Sequence, residues 1–187
     1  MWDGMTWLNE PAQWSIDTGE LHVTTGSRTD FWRHTFYGFV RDDGHVFARP
    51  VTGDFTAEVT VSGEYETLYD QCGLMVRADA EHWVKSGVEF TDGVAHVSTV
   101  VTNGFSDWSV VPAPEAGTSL TLRVTRHGDA LRVQYRRGSA WQLTRLAYVD
   151  LPETVAVGVM ACSPERSGFR ATFTDLEIGP AIDRSLH

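Results

Sequence analysis

From Asp54 to Ser62 the chain alternates without a break, with Phe55, Ala57, Val59 and Val61 on one side and Thr56, Glu58 and Thr60 on the other. Successive side chains of a β-strand point to opposite faces, so this period of two marks a half-buried strand of an antiparallel sheet. Similar runs cover 71–77, 83–90, 94–102, 119–126, 130–136, 141–149, 155–162 and 169–178, and no stretch sustains a helical period. A chain patterned this way can close a core only by packing sheet on sheet. Roughly a dozen short strands of uneven length, joined by Gly- and Asp-containing turns, point to an all-β, two-sheet antiparallel sandwich rather than a closed barrel.

No internal repeat or linker interrupts the pattern, so residues 1–187 read as one domain, with 1–12 an irregular lead-in and 180–187 a tail. Residues 13–17 and 20–25 read as a hairpin around Thr18-Gly19, with Trp14, Ile16, Leu21 and Val23 turned inward. Residues 27–32 read as a polar loop carrying Arg28, Asp30 and Trp32, followed by Phe36-Tyr-Gly-Phe39 and a turn at Asp42-Asp43-Gly44. Residues 102–114 read as a second loop, with Asn103-Gly104, Asp107, Trp108 and Ser109. Trp108 there either stacks on a sugar or another ring face or plugs a sheet end.

Asp and Glu number 25 against 15 for Lys and Arg, a net charge of −10, which disfavours nucleic acid because phosphate backbones need clustered cations. No apolar run reaches membrane-spanning length, and the first residues lack the basic end and apolar core of a secretory signal, so a cytoplasmic protein off the membrane is expected. Cys72 and Cys162 each lie inside an apolar strand pattern and read as core thiols. Without a Gly-x-Ser-x-Gly elbow, a phosphate-cradling glycine loop or zinc-ligand spacing, neither cofactor nor metal is expected. Lys85 is the sole lysine; either codon usage left it alone, or a compact ammonium is needed where a guanidinium fork does not fit.

The central strands can be set in register. If Asp92-Gly93 closes a two-residue turn, Glu89 lies opposite His96, Gly87 opposite Ser98 and Lys85 opposite Val100. A symmetric five-residue connection at 78–82 places Arg77 against Trp83, Met75 against Lys85, Gly73 against Gly87 and Gln71 against Glu89. Residues directly opposite share a face. The face turned away from the core therefore carries Gln71, Glu89 and His96, then Gly73, Gly87 and Ser98, then Met75, Lys85 and Val100, then Arg77 and Trp83. Paired strand glycines mark a place where either a ligand or another backbone approaches closely. On the first alternative the row is the floor of a shallow groove.

Several motifs in this order carry a resemblance. Leu68-Tyr-Asp-Gln-Cys-Gly-Leu-Met-Val-Arg77, Trp83-Val-Lys-Ser-Gly-Val-Glu89, Asp92-Gly93, Ser106-Asp-Trp-Ser109, Leu122-Arg-Val-Thr-Arg126 and Leu146-Ala-Tyr148 resemble the regulation-of-enolase-protein-like family of unknown function, from Trp14 to Leu176. The resemblance implies the concanavalin A-like lectin and glucanase superfamily, hence a jelly-roll whose concave face binds carbohydrate in many relatives. It nominates Tyr69, Asp70, Gln71, Lys85, Glu89, Asp107 and Trp108 as site candidates. The glucanase pattern Glu-x-Asp-x-Glu, or its one-residue-longer form, does not occur: Glu64-Tyr-Glu66 lacks the other acids and Glu89-Phe-Thr-Asp92 has the wrong spacing. The expectation is a domain binding a carbohydrate or small polar ligand. The alternatives are a sugar-active enzyme using Glu89 with Asp70 or Asp107, and a protein-interaction module regulating a metabolic enzyme.

Overall fold

The computed structural model describes residues 1–186. One seven-stranded antiparallel sheet runs β1 (Thr6–Leu8), β6 (His45–Thr52), β15 (Thr154–Cys162), β8 (Gln71–Arg77), β9 (His82–Thr91), β10 (Val94–Asn103) and β11 (Phe105–Pro112). The second runs β14 (Ala140–Tyr148), β13 (Ala130–Arg137), β12 (Leu120–His127), β7 (Phe55–Gly63), β16 (Arg170–Pro180), β3 (Glu20–Thr24) and β2 (Gln13–Asp17). A two-stranded ribbon, β4 (Phe31–Arg33) with β5 (Val40–Asp42), completes the strands, and a single turn of 3₁₀-helix covers Pro114–Gly117.

The two large sheets pack face to face because their alternating residues meet. Phe55, Ala57, Val59 and Val61 of β7, Leu120, Leu122 and Val124 of β12 and Phe173 of β16 meet Cys72, Leu74 and Val76 of β8, Val84 and Val88 of β9, and Val97 and Val101 of β10 in one buried cluster. The register of the central strands is the one expected. Gln71 faces Glu89, Gly73 faces Gly87, Met75 faces Lys85 and Arg77 faces Trp83, while Glu89, Gly87 and Lys85 face His96, Ser98 and Val100. Both thiols are free and buried, Cys72 in this core and Cys162 on the other side of its sheet, and burial pushes the Cys72 thiol up to about 12.

Four local expectations need correction. The lead-in contains a strand, β1, paired with β6. Trp14 and Ile16 lie opposite Val23 and Leu21, but β2 is an edge strand, so both stay largely exposed; Trp14 packs on Trp7 and Phe47. The 27–32 segment is not simply a polar loop, since Phe31 and Trp32 start β4 and are buried. The 102–114 segment is for the most part strand β11, hydrogen-bonded to β10 along its length.

The β4–β5 ribbon lies across the open face of the first sheet. It builds a second core there, in which Phe31, Trp32, Met75, Trp83, Val100, Met160 and Cys162 pack together. Polar ties hold it down. Arg77 pairs with Asp42 through two hydrogen bonds of 2.9 and 2.8 Å, and Arg33 donates from its amide to Ser106 Oγ and from Nε to Gly104 O. The middle of this face is thereby covered, and a cleft stays open at the end near Gln71 and Glu89.

Candidate functional site

The open end holds a cleft of about 240 Å³. Its floor comes from consecutive strands, with Gln71 from β8, Lys85 and Glu89 from β9 and Val100 from β10. The ribbon segment supplies Asp30, Trp32, Tyr37 and Phe39, the turn before β8 supplies Tyr69, β11 supplies Trp108, and the loop after β15 supplies Pro164 and Glu165. The rings form two groups. Trp32 meets Tyr37 edge-on and Tyr37 stacks on Phe39, while Tyr69 meets Trp108 edge-on. The hydroxyls of Tyr37 and Tyr69, 3.3 Å apart, join the groups. Tyr69 holds φ at 65°, an uncommon left-handed conformation for a bulky residue, and so enters β8 through a sharp turn.

Lys85, only 4% exposed, donates from Nζ to Asp30 Oδ1 at 3.0 Å and to the Phe31 carbonyl at 2.8 Å. Burial opposes its charge, but the neighbouring Asp30, with smaller help from Cys162 and Glu89, outweighs burial and holds its pKa above the ordinary lysine value. The sole lysine is thus a tether for the ribbon as well as part of the cleft floor. Glu89, 6% exposed, accepts a hydrogen bond from Trp108 Nε1 at 3.0 Å, and the same indole group lies 3.1 Å from Ser98 Oγ. Burial raises its carboxyl above the usual range; Lys85, Ser98 and Trp108 pull the other way without prevailing. The Tyr69 phenol is also held neutral well beyond its usual range, first by its hydrogen bond with Tyr37, then by burial and the charges of Glu89 and Glu165.

The raised Glu89 value has a consequence for stability. The folded protein binds this proton more tightly than the unfolded chain, so the favourable contribution is complete below the unfolded value near 4.3 and is lost as pH rises through the folded one. Glu89→Gln, which keeps the acceptor for Trp108, is therefore expected to exceed the parent in stability at pH 8, with the difference closing toward pH 4. Urea midpoints across that range check it, and a constant difference would contradict it.

Of the residues nominated from sequence, Tyr69, Gln71, Lys85, Glu89 and Trp108 line the cleft. Ser98 stands behind Trp108 as a hydrogen-bond partner, and His96 is buried with its Nδ1 3.1 Å from the Val94 carbonyl. Met75, Arg77 and Trp83 are under the ribbon, in the second core or at its border, and do not face the cleft. Gly73 and Gly87 are not a groove floor. A Cβ built on Gly87 would lie 2.1 Å from the Cys72 carbonyl oxygen and 2.8 Å from Gly73 Cα, and one on Gly73 would lie 2.1 Å from the Ser86 carbonyl oxygen. The glycines let the two backbones approach each other.

Two candidate carboxylates fall elsewhere. Asp70 is fully buried, paired with Arg166 through Nε and Nη2, and accepts the amides of Glu66 and Thr67 at 3.0 and 2.9 Å. It holds its turn together and does not line the cleft. Asp107 sits opposite Val101, whose side chain is in the main core, so it lies on the far side of the sheet from Trp108 and pairs with Arg145 at 3.0 Å. A pair of Glu89 with Asp70 or Asp107 is not assembled. The acids that do share the cleft with Glu89 are Asp30 and Glu165. Glu165 carried no sequence signal, but the aromatic run Phe36-Tyr-Gly-Phe39 amid turn residues was a hint of a binding loop. Among the described residues, no group of three or more His, Cys, Asp or Glu side chains is placed to hold a metal ion, and no helix is long and apolar enough to cross a membrane.

Comparison with known proteins agrees with this architecture. Residues 7–181 match the family model described as protein of unknown function, DUF1349. The chain is 44% identical over 183 residues to "Regulation of enolase protein 1" of Saccharomyces cerevisiae, covering 97% of this chain and 92% of that one. A crystal structure of a functionally unknown protein from Saccharomyces cerevisiae superposes with a TM-score of 0.92 at 43% identity, covering 96% of this chain and 98% of that chain. The carbohydrate-binding module CBM66 from Bacillus subtilis superposes with a TM-score of 0.62 at 15% identity, over 94% of this chain and 95% of its own. At that identity the likeness is one of fold, a jelly-roll β-sandwich.

Proposed function

The chain belongs to the DUF1349 family of proteins of unknown function, and on that premise we propose that its concave sheet face binds a carbohydrate or similar polyhydroxylated ligand, one ring at a time, in the cleft beside Trp108. The observation that carries this reading is the lining itself. Five aromatic side chains, Trp32, Tyr37, Phe39, Tyr69 and Trp108, surround a floor of Gln71, Lys85 and Glu89. Sugar rings present apolar C–H faces and a fringe of hydroxyls, and such a lining offers a partner to each. The cleft is smaller than the roughly 300 Å³ at which pockets for drug-sized molecules begin, which suits one ring. The fold shared with a carbohydrate-binding module is a further support for the ligand class, though not for the place.

Isothermal titration with a panel of neutral monosaccharides tests the reading. Trp108→Ala removes both a ring wall and the donor to Glu89, so it is expected to weaken binding by about 30-fold, near 2 kcal/mol, as loss of a buried aromatic anchor does. Equal affinity in parent and variant would contradict it.

A second reading, a protein-interaction module acting on a metabolic enzyme, has one observation in its favour beside the name of the yeast relative. Phe36 is 93% exposed at the tip of the loop that also carries Tyr37 and Phe39. Co-purification of one protein partner that is lost in Phe36→Ser, with no sugar bound, would favour this reading over the first. A cytoplasmic location is proposed with both readings.

A further inference from the structure

The charges around the cleft do not balance, and the imbalance narrows the ligand class. Three carboxylates line it, Asp30, Glu89 and Glu165, against one cation, Lys85, and no arginine. The Lys85 ammonium is directed to Asp30 and the Phe31 carbonyl. Two arginines on segments that border the cleft are taken as well, Arg77 by Asp42 and Arg166 by Asp70 and Glu66. An anionic ligand would find no unpaired positive group in the cleft lining. Asp30 is paired, but among the described residues neither Glu89, which hydrogen-bonds with Trp108 and Ser98, nor Glu165 makes an ion pair.

The rings point the same way. Aromatic faces attract cations, most strongly where water is excluded, and the Tyr69 hydroxyl is occupied with Tyr37. At long range the net charge of −10 favours the arrival of positive ligands. A cleft with five rings, two carboxylates free of ion pairs and no free cation is suited to a positively charged group among hydroxyls.

Resting on the sugar-site reading, we infer that the cleft selects a ligand carrying a protonated amine beside its hydroxyls, an amino sugar, over the neutral and the acidic sugar of the same ring. Glu89 from the floor and Glu165 from the rim receive the ammonium, and the aromatic walls enclose it.

The test is calorimetric titration near pH 6.5 with matched sets of a neutral hexose, its 2-amino-2-deoxy counterpart and its uronate. The amine is expected to bind at least about tenfold more tightly than its neutral parent, as a charge-assisted contact with partial desolvation gives, and the uronate more weakly than that parent. In a Glu89→Gln, Glu165→Gln double variant the amine-to-neutral ratio is expected to fall to about one. Should that variant fail to fold, Glu165→Gln alone, at an exposed position, is expected to reduce the ratio at least about threefold. Neutral sugars binding as tightly as the amines, or a ratio unchanged in the variants, would overturn the amine preference and leave the sugar site standing. No binding by any of the three classes would remove the sugar site and the preference together.

Discussion

Replacing Gly87 by leucine is expected to abolish folding of the sandwich, and even Gly87→Ala is expected to destabilise it by about 3 kcal/mol or more, the upper end of the range for overpacked sites. The reason is the position of the new atom. A Cβ at Gly87 would sit 2.1 Å from the Cys72 carbonyl oxygen and 2.7 Å from its carbonyl carbon, and neither belongs to a side chain that could rotate away. Relief requires β8 and β9 to separate in the middle of the sheet, where both strands also anchor the main core through Cys72, Leu74, Val84 and Val88. Gly179 is the control, since a Cβ there would meet nothing within 4 Å, and Gly179→Ala is expected to change stability by less than about 0.5 kcal/mol. Circular dichroism with urea denaturation of the three variants decides the matter. A folded Gly87→Leu domain of parental stability would restore the glycines to a ligand-facing role.

Asp30→Ala is expected to destabilise the protein by about 3–5 kcal/mol, because it leaves the Lys85 ammonium buried without its counter-charge. The side chains of Lys85 and Asp30 are 4% and 14% exposed, so solvent screens the pair little. Asp30→Leu combined with Lys85→Met is expected to recover much of the loss, since an apolar pair needs no desolvation of charge. A double-mutant cycle by urea denaturation measures the coupling. The pH dependence follows from the raised Lys85 value. Its contribution is complete below the unfolded pKa near 10.4 and fades as pH rises through the higher folded value, so the cycle should give the same coupling at pH 7 and pH 9. A single-variant loss below 1 kcal/mol would show that the ribbon is held mainly by Phe31, Trp32 and Arg77.

The central strands were legible because two features agree there. Alternation is unbroken through 71–77, 83–90 and 94–102, and the Asp92-Gly93 turn with the five-residue connection leaves one register. The ribbon was not legible, since strands of three residues show no period and the residues they pack on, Met75, Trp83, Val100 and Met160, are distant in sequence. Nothing in the pattern of 27–44 says that it folds back over β8–β10. The same gap hid the burial of Met75, Arg77 and Trp83, whose face is correct but covered.

Edge strand β11 was obscured for a different reason. It is exposed at Phe105, Asp107, Trp108, Val111 and Pro112, so polarity does not alternate along it. Read as a loop, it let Asp107 and Trp108 both face one ligand; as a strand it must send neighbours to opposite sides. Cross-strand pairing of Gly73 with Gly87 was correctly expected, but sequence does not distinguish approach by a ligand from approach by a backbone. Distances of 2.1 Å do.

The central claim is that a sugar ring sits in the cleft against Trp108, and its indole N–H is the most direct reporter. It donates to Glu89 on the cleft floor and to Ser98 behind it, whereas Trp83 is fully buried beneath the ribbon with its own indole nitrogen on the Ala80 carbonyl. In a ¹⁵N-labelled sample titrated with neutral and amino monosaccharides, the Trp108 indole resonance is expected to shift saturably while that of Trp83 stays in place. A saturable shift confined to resonances outside the cleft, or none from any monosaccharide, would contradict the account.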